Sequence, residues 1–195
     1  MSAGTLAGSM AASLTAEQFV KEAQAFSPGA WAHLFDQYHP KMYDYCYLRT
    51  GDRAAAEDLA SEVFLEALRG IKRYRYRGVP FSAWLYRIAR NLTADFVRRR
   101  ANRPTVPLPA HEADAALASP DDTEAAARAH DIRAALRHLT DDQQQVIMLR
   151  FFHDLSHDET AAVLGRSSGA VRVLQSRALS ALRRVMTGQP KGQLP

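Results

Sequence analysis

The chain has a single cysteine, Cys46, among 195 residues. A lone thiol cannot close an internal disulfide or build a cysteine zinc site, so the fold has to rest on packing, and a reducing compartment suits it. No run of about 18 apolar residues occurs, which removes a membrane-spanning helix and any expectation of membrane insertion. Residues 1–13 are rich in Ala, Gly and Ser without a basic start. They read as a disordered tail (1–14), not a secretory leader, and a cytoplasmic location follows as the expectation. Glycine and proline number only 10 and 9, which excludes collagen-like and wholly disordered chains. There is no Gly-rich phosphate loop and no nucleophile elbow. Nothing in the sequence therefore calls for catalysis or a cofactor.

What is present is charge arranged in blocks. Residues 31–103 carry 14 Lys and Arg against 8 Asp and Glu, and residues 130–195 carry 9 against 6. Between them, residues 104–129 set Arg128 against five acids. Two basic blocks about an acidic strip suggest two modules that touch a polyanion.

Apolar spacing is helical nearly throughout. Ser27-Pro28 sets a cap before a proline at the first helical position, and Thr15-x-x-Gln18 has the form of a capping box. From Trp31 to Tyr47 apolar residues recur at three-and-four spacing, and Thr50-Gly51-Asp52 then breaks the helix. The next helix runs from about Arg53 to Ile71, with Leu59, Val63, Phe64, Ala67, Leu68 and Ile71 on its apolar side. Asp58, Glu62 and Glu66 repeat beside that stripe. A further helix is expected from about Ser82 to Arg100. The prolines and acids of 104–126 read as a linker, and helical periodicity resumes over 127–187 before a short tail, 188–195. The fold class is all-α, two small helical domains joined by a flexible acidic linker.

Two segments carry nucleic-acid chemistry. The loop Tyr74-Arg75-Tyr76-Arg77-Gly78-Val79-Pro80-Phe81 interleaves rings with cations, followed by Arg87, Arg90 and Asn91. Single strands ask for surfaces to stack on and charges for phosphates. Trp84, by spacing, is expected in the core. In the second block, Ser156 and Glu159 form a capping box, Gly165 ends a short helix, and Ser167 or Ser168 caps another. That is a helix-turn-helix layout. On the last helix Val171, Leu174, Ala178, Leu182 and Val185 face inward, and Arg172, Ser176 and Arg183 face out with Gln175 at the flank. Arg and Gln can make paired hydrogen bonds to base edges in the major groove. His153, Asp154, His157 and Asp158 lack a further cluster to complete a metal shell.

These motifs together resemble the sigma-70 family. Ala56-Glu57-Asp58-Leu59-Ala60-Ser61-Glu62-Val63-Phe64-Leu65 and Phe81-Ser82-Ala83-Trp84-Leu85-Tyr86-Arg87-Ile88-Ala89-Arg90-Asn91 are similar to sigma region 2, and Leu139-Thr140 through Arg184 to region 4. With no room for a middle domain, the match is to the extracytoplasmic-function (ECF) class. The resemblance implies region 2 over 15–103, region 4 over 127–187, and the partners core RNA polymerase, promoter DNA and an anti-sigma factor. It implies that Asp58, Leu59, Glu62 and Phe64 meet the β′ clamp helices. It gives Tyr74, Arg75, Tyr76, Arg77, Arg87, Arg90 and Asn91 to the −10 element, and Ser167, Ser168, Arg172, Gln175, Ser176 and Arg177 to the −35 element. Phe151, Phe152 and Leu155 fall where region 4 packs on the β flap. Ser61 departs from the family's usual Gln. The competing class is a stand-alone helix-turn-helix regulator, which would need a receiver domain or dimerisation helix that residues 15–103 do not show.

Overall fold

A computed structural model describes residues 16–75, 79–102 and 130–187. The Thr15 capping box, Tyr76, Arg77, the linker 104–126 and both tails lie outside the described residues.

The first module comprises α1 (Ala16–Gln24), α2 (Pro28–Thr50), α3 (Arg53–Gly70), a 3₁₀ turn (Ile71–Arg73) and α4 (Phe81–Ala101). Ser27 caps α2 by accepting from the Ala30 N–H at 3.5 Å, with Pro28 at the first position. The helix runs on through Pro40, which the spacing did not flag. Gly51 ends α2 at φ +68°, a left-handed turn that favours glycine. Asp52 then caps α3 through the Ala55 N–H at 3.1 Å, and Arg100 at the end of α4 returns to Asp52 at 3.2 Å. The helices α2, α3 and α4 pack on one another. Fully buried Ala56, Ala60, Ala67 and Ala89 let the backbones approach, and Met42, Val63, Ile71 and Leu85 fill the space between. Cys46 belongs to this core. Burial pushes its thiol up to about 12, so it packs and does not react.

The second module contains helical residues 130–136 (α5), α6 (Asp141–Ile147), a π segment (Met148–Phe152), α7 (His157–Leu164) and α8 (Ser168–Met186). Ser156 accepts from the Glu159 N–H at 3.1 Å while the Glu159 carboxylate takes the Ser156 N–H, the reciprocal box the sequence predicts. Gly165 turns at φ +64°, and Ser167, not Ser168, caps α8 through the Ala170 N–H. Such caps are worth about 1 kcal/mol each. Val146, Met148, Leu149, Val163, Val171 and Ala178 form the core. Val185, expected inside, is exposed at the end of α8 where no helix remains to cover it.

The modules are packed together, an arrangement no periodicity reveals. Tyr45 on α2 donates its hydroxyl to the Gln145 Oε1 on α6 at 2.5 Å, both side chains buried. Arg49 reaches Gln144 at 2.8 Å and Asp141 at 2.5 Å. Arg133 of α5 lies over Gly51, where an added Cβ would collide with its guanidinium, and α7 rests on α4. His153 packs against the rings of both Tyr45 and Tyr86, with centroids at 5.7 and 4.9 Å, while the two tyrosines also touch each other at 5.7 Å.

Candidate nucleic-acid interface

On α3 the surface is sorted by helical angle. Asp58 is exposed and Glu62 half-buried, and the same face carries Ser61, exposed Leu65 and Arg69. Arg69 bridges Glu62 at 3.2 Å and Glu66 at 2.5 Å. Leu59 and Phe64, assigned to a polymerase contact, turn inward and are buried. They stand on the apolar side of the same helix, so they hold the face in place and do not present it. Leu68, expected inside, is 39% exposed. The apolar part of this surface is therefore Leu65 and Leu68, which the sequence reading left out because α3 carries more apolar positions than its packed side can cover.

The loop after α3 and the start of α4 enclose a cleft of about 280 Å³ lined by Tyr74, Arg75, Pro80, Trp84 and Arg87. Gln24 at the end of α1 pins the loop, donating to the carbonyls of Ile71 at 3.2 Å and Tyr74 at 2.9 Å. Tyr74 packs against Phe81 and Trp84, centroids 5.6 and 5.0 Å away. Phe81 is buried; Trp84 is half-buried and faces the cleft, so it is not simply a core residue. Aromatic rings beside exposed Arg75 and Arg87 are the surfaces an unstacked base needs. Arg90 and Asn91 lie beyond the cleft on α4, Asn91 exposed and Arg90 half-buried. Ala162 of α7 lines the cleft from the other module.

On α8, Arg172, Gln175, Ser176, Leu179 and Arg183 line one groove together with His157 at the start of α7. Arg172 and Ser176 are exposed and Gln175 half-buried. Ser167 serves as the cap, and Ser168 is half-buried with its hydroxyl enclosed. Arg177 is exposed but does not join this groove, since it stands about 140° round the helix from Arg172. The Gln175 Oε1 accepts from the Arg150 Nε at 3.3 Å and lies 3.1 Å from the His157 Nε2. Arg150 also donates to the Leu155 carbonyl, closing the turn after the π segment. That segment leaves Phe151 and Phe152 exposed, whereas Leu155 is buried and cannot share their surface. His153 and His157 do not form a pair on one helix. The first precedes α7, beside Asp154 at φ +53°, and points into the seam.

Residues 34–103 match the model of sigma-70 region 2, and residues 135–184 match that of sigma-70 region 4. The ECF RNA polymerase sigma factor BldN of Streptomyces coelicolor is 42% identical over 175 residues, 87% of this chain and 65% of that protein. The ECF sigma factor SigD of Mycobacterium bovis is 36% identical over 84% of this chain and 80% of its own length. The chain belongs to the ECF class of the sigma-70 family. The region 2 match falls within the first module above and the region 4 match within the second. The solved structure of CnrH in complex with the cytosolic domain of CnrY shares the fold, with a TM-score of 0.70 at 21% identity over 88% of this chain and 97% of that one. Among the described residues of this sigma-70 family member, no helix is long and apolar enough to cross a membrane.

Proposed function

We propose that this chain is a promoter-specificity subunit without chemistry of its own. It binds core RNA polymerase through α3 and the exposed Phe151 and Phe152, reads −35 duplex with α8, and holds an unstacked −10 base in the Tyr74–Trp84 cleft. In domain terms, residues 15–103 act as region 2, 104–126 as the acidic linker and 127–187 as region 4. The observation that carries this reading is the pairing of two unlike nucleic-acid surfaces on one chain: a ring-and-cation cleft for a single strand and a basic helix face for duplex. Capturing a base in place of its stacking costs a few kcal/mol, which the cleft's rings and arginines offset. An anti-sigma factor is the proposed control, and the cytoplasm the proposed site of action.

The packed arrangement bears on how this works. A compact chain of this length is about 40 Å across. Elements about 25 base pairs apart lie on the order of 80 Å apart along B-DNA. One packed body cannot reach both, so the modules part when the promoter is engaged, and α7 leaves the −10 cleft. The free protein is accordingly a weak DNA binder.

Core polymerase pull-down followed by run-off transcription from a genomic fragment library tests the reading. Co-purification with initiation at selected sites supports it. Specific duplex binding by the protein alone, without polymerase binding, would instead make it a stand-alone regulator. Within that assay Arg172→Ala should lose about 1–3 kcal/mol of promoter selectivity, the value of a paired base contact. If binding to promoter and scrambled duplex falls equally, Arg172 touches phosphate.

A further inference from the structure

The side chain of Gln175 is held in a way that selects which base it can read. A guanidinium has donors only, so the amide group that faces the Arg150 Nε at 3.3 Å has to be the oxygen. The His157 Nε2 is 3.1 Å from the same oxygen and donates to it when protonated at that nitrogen. An amide oxygen has two lone pairs, and with that tautomer these two contacts occupy both. Arg150 is itself fixed, because it also donates to the Leu155 carbonyl at the turn before α7. Gln175 lines the groove with Arg172, Ser176 and Arg183, and its amide nitrogen is the end of the amide left for a ligand there.

A free glutamine recognises adenine with both ends of its amide, accepting from N6 and donating to N7. Here the accepting end is taken. Resting on the −35 reading of α8, we propose that Arg150 and His157 lock Gln175 as a donor, so that it favours guanine or thymine on the strand it faces over adenine, whose N6 donor it can no longer meet. Guanine offers N7 and O6 as acceptors and thymine offers O4; adenine offers N7 but sets its N6 donor beside it, and cytosine presents only a donor. Arg150 and His157 are positioning residues: they act on the promoter through Gln175.

The test is run-off transcription by core polymerase with the full chain, on a promoter library randomised through the −35 element, with transcripts counted by sequencing. The wild type should enrich guanine or thymine at one position, and Gln175→Ala should lose that enrichment by roughly five- to ten-fold, the worth of one or two hydrogen bonds. Freeing the oxygen in Arg150→Leu/His157→Ala should raise the share of adenine at that position, and His157→Ala alone should move in the same direction with Arg150 still in place. A merely structural role would lower all transcripts together without changing the base profile. Adenine enrichment by the wild type, an unchanged profile in Gln175→Ala, or a double variant that still initiates yet shows no gain of adenine overturns the proposal. No initiation from any library member overturns the sigma reading itself, and this inference with it.

Discussion

Acidification should open the seam between the two modules. Burial, with Lys41 adding to it and Asp154 opposing, lowers the His153 pKa to about 4. In an opened chain the same imidazole would return to about 6.5. The closed state then binds fewer protons than the open one between those values, so closure is favoured at neutral pH. It weakens as the pH falls through about 6.5 and reaches its full loss near 4, for a total of about 3 kcal/mol. The groups facing the ring are Tyr45 and Lys41 from α2, Tyr86 from α4 and Asp154 from its own turn. Both tyrosines are pushed up by burial and stay neutral over this range. Small-angle scattering should show the radius of gyration of the wild type rising between pH 6.5 and 4.5. His153→Phe keeps the ring contacts without the titration, and its radius should hold steady across that interval. Equal expansion of both proteins would mean that other groups drive the opening.

The second large effect concerns polymerase docking. Asp58→Arg should abolish co-purification with core polymerase, because a like charge placed against a basic partner surface costs several kcal/mol. The fold should survive, since Asp58 is exposed and the neighbouring Arg69 bridges to Glu62 and Glu66 are surface pairs worth at most about 1 kcal/mol. Leu59→Ala makes the contrast. Leu59 is buried, so its truncation should cost about 2–5 kcal/mol of stability and lower Tm. Loss of polymerase binding with an unchanged melting curve in Asp58→Arg assigns the face to docking. Retained binding would move the contact elsewhere, with exposed Leu65 the next residue to substitute.

Much of this site could be read in one dimension. Ser156 with Glu159, Gly165 with Ala161 and Ser167 with Ala170 each act across no more than four residues, so their roles follow from local geometry. The clean division of α8 between Val171 and Ala178 inside and Arg172 and Ser176 outside is likewise a matter of 3.6-residue spacing. Spacing is less decisive at the edge of a stripe. Leu68 is exposed although its neighbour Ala67 is fully buried, and half-buried Trp84 lines a cleft whose other wall comes from the loop after α3. Such positions depend on where the neighbouring helices stop.

By itself, then, the sequence determined the helices, their caps, the two basic modules and the exposed face of α8 that carries Arg172 and Ser176, because each depends on contacts within a turn or two. Only the tertiary structure decided that Tyr45 meets Gln145 a hundred residues away, that His153 packs against Tyr45 and Tyr86, and that Ala162 borders the region 2 cleft. It alone decided that the Gln175 oxygen is engaged by Arg150 and His157. The reason is physical: a side chain's partner across a packed interface is chosen by shape and hydrogen-bond complementarity between helices distant in the chain, and neither leaves a period in the sequence.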